Sequence, residues 1–152
     1  MKIAVVTDST AYLTKEEYAE YGVYVLPMSV IFGQETYREE IDISAEEFYA
    51  KVKSSPVFPT STQPAVGETY ELFRELAKDY DAIIPITISS GISGTYQTCV
   101  AVAEDMKDEI AIYPIDSEIS CAPQARAVKL AAIMAKSGEY SPEEIVETVQ
   151  RL

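Results

Sequence analysis

Two stretches of this 152-residue chain, Ile3-Ala-Val-Val6 and Ala82-Ile-Ile-Pro-Ile-Thr-Ile88, are apolar almost without a break and rich in β-branched side chains. A strand with one wet face alternates apolar and polar residues, so an unbroken run calls for burial on both faces. Such strands belong to parallel sheets whose crossover helices cover each side. The sequence supplies those helices. Thr14-Lys-Glu-Glu17, Ser44-Ala-Glu-Glu47 and Ser141-Pro-Glu-Glu144 are capping boxes, the last with proline at the first helical position. They predict helices from 14 to about Tyr21 with a stop at Gly22, from 44 to about Ser54, and from 141 to Leu152. Val66, Tyr70, Phe73, Leu76 and Ala77 mark one helical face. Further helices are expected from about Ser93 to Met106 and from about Ile119 to Lys136, the latter ending at Gly138.

Strands are expected near 2–7, 23–32, 82–88 and 110–115. Tyr24–Phe32 reads as mainly extended, with Pro27 marking a break or an edge position. Gly33-Gln34 reads as a turn before a short strand at Thr36–Arg38. Ser55–Pro64 holds three prolines and cannot be helical. There is no internal repeat, low-complexity tract or linker, and the length suits one domain, 1–152. The predicted fold class is α/β: a three-layer α/β/α arrangement around a mainly parallel sheet.

The charge balance narrows the partners. Twelve Lys and Arg against 25 Asp and Glu give a net charge of −13. Nucleic acid and anionic membrane both need a basic face, so neither is expected as a partner. No apolar run approaches a membrane span, and no basic-then-apolar leader precedes the first strand, so no integral membrane insertion and a cytoplasmic location are expected. Histidine is absent, which removes the commonest general base. With only Cys99 and Cys121 beside it, a metal site is not expected, and both thiols read as reduced core residues in apolar helical contexts.

Ligands of open parallel sheets bind at the carboxyl ends of the strands. Four loops lie there: Asp8-Ser9-Thr10, Thr60-Ser61-Thr62 if the segment before it is extended, Thr87 through Thr95, and Asp116-Ser117 with Ser120. All are rich in hydroxyls and none carries Lys or Arg. Ser, Thr and Asp are also favoured at turns and helix caps, so a single hydroxyl in these loops needs no ligand to account for it. Ser61, Thr62 and Ser93 taken together exceed that need. Three consecutive hydroxyls lie between prolines, and Ser93 lies within a doubled glycine turn that permits close backbone approach. A helix beginning near Ser93 offers free N–H groups and a partial positive charge, which favour an anion. Two sharper motifs fail. Gly91-Ile-Ser-Gly94 is one residue short of a nucleophile elbow, and no Ser-His-Asp triad can form without histidine. The same turn lacks the spacing and lysine of a phosphate-binding P-loop. Asp8 and Asp116 could in principle hold Mg²⁺, but turn or cap roles account for both.

Six segments in order, Lys2–Thr10, Val25–Phe32, Asp42-Ile-Ser44, Pro59-Thr-Ser-Thr-Gln-Pro64, Ile88-Ser-Ser-Gly-Ile-Ser-Gly-Thr-Tyr-Gln97 and Ile115-Asp-Ser117, resemble the bacterial DegV family. The resemblance covers nearly the whole chain but only the family's N-terminal half. It implies a non-catalytic fatty-acid-binding protein that holds one long-chain fatty acid in a tunnel between two domains, and in several members presents it to a separate fatty acid kinase. By that resemblance Ser61, Thr62 and Ser93 bind the carboxylate, Asp8, Ser9, Gly94 and Thr95 support them, and no cofactor is needed beyond the bound lipid. The loop departs from the family's common Thr-Thr-Ser-Gln-Pro by exchanging one hydroxyl for another. A second domain would add a histidine and basic residues to the same headgroup. The chain alone is therefore expected to bind weakly, because burying the tail supplies most of the affinity, about 0.8 kcal/mol per methylene. Alternatives are a phosphoryl- or acyl-transfer enzyme using the hydroxyl-rich crevice, and a ligand-free module that self-associates.

Overall fold

The computed structural model covers residues 1–152. Its first strand, β1 (Ile3–Asp8), is buried along its whole length and sits at the centre of a parallel sheet. β2 (Val23–Leu26) flanks it on one side and β6 (Ala82–Thr87) on the other. Beyond β6 lie two short strands, β7 (Ala111–Ile112) and β8 (Ile115–Asp116), both parallel to it. The unbroken apolar runs have the predicted cause. Successive residues of β1 enter opposite cores: Ile3 and Val5 pack beneath Ala127, Val128 and Ile145, whereas Ala4 and Val6 meet Phe73, Val102 and Met106. The first core lies under α5 (Cys121–Ser137) and α6 (Pro142–Gln150), with α1 (Lys15–Tyr21) at its margin. The second lies under α3 (Val66–Leu76) and α4 (Thr95–Asp105). The chain is thus a three-layer α/β/α fold around a mainly parallel sheet.

All three capping boxes form. Thr14, Ser44 and Ser141 each accept from a backbone N–H three residues on, and Glu17, Glu47 and Glu144 reach back to the cap. α2 (Ala45–Ser54) is one of the helices so started.

The strand expected over 23–32 is two strands in two sheets. Chain geometry changes at Pro27-Met28, which belong to neither. β3 (Ser29–Phe32) leaves the parallel sheet and forms a separate antiparallel one, with β4 (Glu35–Arg38) on one side and β5 (Thr60–Thr62) on the other. Its small core of Val30, Phe32 and Ile43, flanked by Tyr37, Phe48 and Val52, is distinct from the two cores of the main sheet. Thr60–Thr62 therefore forms a strand rather than a loop at a carboxyl end of the parallel sheet. The expected strand over 110–115 is also divided, because Pro114 lacks the N–H a continuous ladder would use. α4 and α5 begin two residues later than expected, at Thr95 and Cys121. Cys99 is buried as expected. Cys121 is not: it lies exposed at the first position of α5, ahead of that helix's buried face.

Candidate functional site

The carboxyl ends of β1, β6 and β8 meet at a group of loops held in place by two aspartates. Asp8 is fully buried. Its Oδ2 accepts from the Ile88 backbone N–H at 2.6 Å, which fixes the start of the loop after β6. Its Oδ1 accepts from the Thr10 backbone N–H at 3.0 Å, from the Thr10 hydroxyl, and from Gln124 Nε2 at 3.3 Å. Gln124, itself fully buried, also donates to Thr7 Oγ1 and accepts from Thr10 Oγ1. Asp116 Oδ1 accepts from the Ser90 and Glu118 backbone N–H groups, both at 3.0 Å. Burial opposes the charge of Asp116, but those hydrogen bonds outweigh it and hold the carboxyl below its ordinary range. Both carboxylates thus brace the 88–94 loop from either side. No group of three or more His, Cys, Asp or Glu side chains is placed to hold a metal ion.

Ser93 sits in that braced loop, half-buried. Its N–H donates to Ser89 O at 3.1 Å, and its Oγ lies 2.9 Å from Thr95 Oγ1 and accepts from the Thr95 N–H at 3.3 Å. Thr95 is buried and donates to the sulfur of Met28 at 3.7 Å. Gly94 is the N-cap of α4. Ser9 is buried, donates to Glu39 Oε2 at 2.6 Å and accepts from the Met28 N–H at 2.9 Å. It fastens the turn between β2 and β3.

Ser61 and Thr62 arrive from the other sheet. Thr62 pairs with Ser29 and Ser61 with Val30. Ser29 follows Met28, the residue on which Thr95 and Ser9 converge, so the pairing carries β5 to the α4 N-terminus. Gln63, immediately after β5, touches Gly94 and donates to Thr98 Oγ1 at 2.9 Å. Ser61 and Thr62 are exposed, and their hydroxyls make no hydrogen bond within the chain. The structure therefore brings the Ser61–Thr62 strand and the Ser93 turn to neighbouring positions at the start of α4.

The helix ends at this place differ from the others. α1, α2, α3 and α6 each carry glutamate in the first turn. α4 and α5 carry none, and neither has a side-chain cap. Cavities lie elsewhere around the molecule, none of them lined by Ser61, Thr62 or Ser93. A cavity of about 870 Å³ extends from Tyr96, Asp116 and Ser117 to Arg126 and Leu152. A cavity of about 730 Å³ lies between Tyr12, Leu13, Cys121, Ala125, Leu130 and Ile133, and a smaller one of about 270 Å³ lies beyond Tyr12 against Ile43, Phe48 and Tyr49. Met28, Gln63, Gln124 and Arg126 were not singled out from sequence. Gln63 alone carried a local signal, its place between Thr62 and Pro64.

A three-layer α/β fold with hydroxyl-rich loops at the carboxyl ends of its parallel strands is the arrangement in which open α/β sheets place their ligand crevices. The chain matches the family model described as "Uncharacterised protein, DegV family COG1307" over residues 2–152, and it belongs to the DegV family. Protein DegV of Bacillus subtilis is 47% identical over 152 residues, which span all of this chain and 54% of that protein. A DegV domain-containing protein of Halalkalibacterium halodurans is 47% identical over 147 residues, 96% of this chain and 51% of its own length. The chain spans about half the length of these relatives. Among solved structures, DegV of Bacillus subtilis, described as a fatty acid binding protein, matches with a TM-score of 0.95 and 46% identity over 99% of this chain and 53% of that one. A DegV family protein from Thermus thermophilus, whose structure is described as showing fatty acid binding, matches with a TM-score of 0.89 and 27% identity over the same shares. No helix of the chain is long and apolar enough to cross a membrane.

Proposed function

We propose that this chain is the N-terminal half of a fatty-acid-binding protein and that Ser61, Thr62 and Ser93 hold the fatty acid's carboxylate. One observation supports this most directly: Gln63, the residue after Ser61 and Thr62, seats on Gly94 and Thr98 at the α4 N-terminus, next to Ser93, and the first turn of that helix carries no carboxylate of its own. The helix end supplies free N–H groups and a partial positive charge. Ser61, Thr62 and Ser93 supply neutral donors, which matters in a chain of net charge −13. Asp8, Ser9, Gly94 and Thr95 support those donors from behind. The cavity of about 730 Å³ beside Tyr12 and Ile133 is of the size ligand pockets usually have.

On this reading the protein performs no chemistry itself and needs no cofactor. It presents the bound acid to a separate fatty acid kinase, a step that rests on the family resemblance alone. The test uses the chain as it stands. Octanoate, at millimolar concentration, is titrated into ¹⁵N-labelled protein and followed by NMR. The amide signals of Ser61, Thr62, Ser93 and Gly94 should shift together, and Ser93→Ala should weaken binding roughly three- to tenfold, the usual worth of one such hydrogen bond. Shifts confined to other surfaces, or unchanged affinity in S93A, would remove the headgroup assignment. The kinase step is checked separately: acyl phosphate should form only when protein, fatty acid, ATP and a fatty acid kinase are all present.

A further inference from the structure

The cradle has two walls on two sheets, and the join between them is narrow. β3, β4, β5 and α2 share a small core of their own. At the cradle they meet the main body through Met28, which bonds to Ser9 and Thr95, through Glu39, which accepts from Ser9, and through Gln63. An outlying pair, Arg38 with Glu68 at 3.7 Å, is solvent-exposed and adds little. The Gln63 contact is close-fitting. Its Nε2 donates to Thr98 Oγ1 at 2.9 Å, and Thr98 is buried on the first turns of α4. Its amide lies so near Gly94 that a Cβ there would overlap Oε1 and stand 3.2 Å from Cδ. Gly94 has φ −79° and ψ 6°, a conformation open to any L-residue. A side chain at 94 would thus be tolerated by the backbone but would have to push the Gln63 amide off its seat.

We propose that Gln63 is a positioning residue that sets the spacing between the Ser61–Thr62 wall and the Ser93 wall, by seating its amide on Gly94 and Thr98. The residue directly follows the hydroxyl pair, so seating its amide on α4 anchors the end of β5 against that helix. The inference rests on the carboxylate-binding reading for its consequence, but its structural content stands without it.

The experiment has two arms, applied to wild type, Gln63→Ala, Gly94→Ala and the double variant. Without ligand, residual dipolar couplings report the orientation of the β3–β5 sheet against the main sheet. One alignment tensor should fit both sheets in wild type, and the small sheet should lose order relative to the main one in all three variants. With octanoate, each single variant should lose affinity roughly three- to tenfold. The double variant should lose no more than either single one, because both substitutions break the same contact. Additive losses, or unchanged couplings and affinity in Q63A, would overturn the proposal. Q63A removes atoms and adds none, so it decides the matter if G94A does not fold. If wild type binds no octanoate, the carboxylate reading fails while the dipolar couplings still test the positioning role.

Discussion

Asp116 and Asp42 show how single carboxylates in this acidic chain are held charged. Asp42 is solvent-exposed, yet hydrogen bonds from the Arg38 side chain and N–H lower its pKa to about 2. A carboxylate whose folded pKa is depressed contributes stability above its unfolded value and loses it as pH falls through the folded one. The Arg38–Asp42 turn should thus stay intact at pH 5 and loosen as pH falls from about 4 toward about 2. Asp116 follows the same sign. Its brace on Ser90 should weaken as pH falls below the ordinary aspartate range, and Asp116→Asn should make the Ser90 and Glu118 amide signals insensitive to pH there. The two cysteines separate by burial. Burial, with a smaller effect from Asp8, pushes the Cys99 thiol up to about 12, so it stays protonated and shielded. A thiol reagent at pH 8 should label Cys121 within minutes and Cys99 only on unfolding. Two equally fast thiols would contradict the structure.

At the scale of elements, the capped helices and the site helices differ in kind. α1, α2 and α6 satisfy their own N-termini by a capping box, and the signal is local: a hydroxyl, then a glutamate three residues on. Ser141→Ala should cost about 1 kcal/mol, measurable as a lowered denaturant midpoint with unchanged slope. α4 and α5 have no such cap and begin where the parallel strands end. These local features were legible in the sequence, as were the buried runs of β1 and β6. Element ends at prolines were less so. Pro27 could mark an edge or a break, and which applies depends on where the chain goes next. In the structure β3 turns away to pair with Thr60–Thr62, some 30 residues on, and no local pattern reports that pairing.

For the molecule as a whole, Gln124 ties the layers together at the site. It is a buried polar residue on α5 that bonds Thr7, Asp8 and Thr10 at the end of β1. Gln124→Leu keeps the volume but leaves Asp8 and Thr10 each short of a partner. It should destabilise the fold by about 1–3 kcal/mol and broaden the Ile88 and Ser93 amide signals. A loss of stability with those signals unchanged would show that Gln124 serves the core and not the loop. Ile133 and Leu152 are exposed beside the cavities, and exposed apolar surface promotes association. Sedimentation should show self-association that rises with concentration, and substituting Ile133 with Glu should reduce it.

The sequence by itself determined the α/β class, the two-sided burial of the central strands, the capped helix starts and the hydroxyl chemistry of the loops. Each of these follows from residue type and short-range spacing. The tertiary structure decided which distant segments lie side by side. The segment ending in Gln63 reaches the start of α4 because β5 pairs with β3 in a second sheet and Gln63 seats against Gly94 and Thr98. That arrangement depends on strands far apart in the chain closing on one another, which is a property of packing and of no local run of residues.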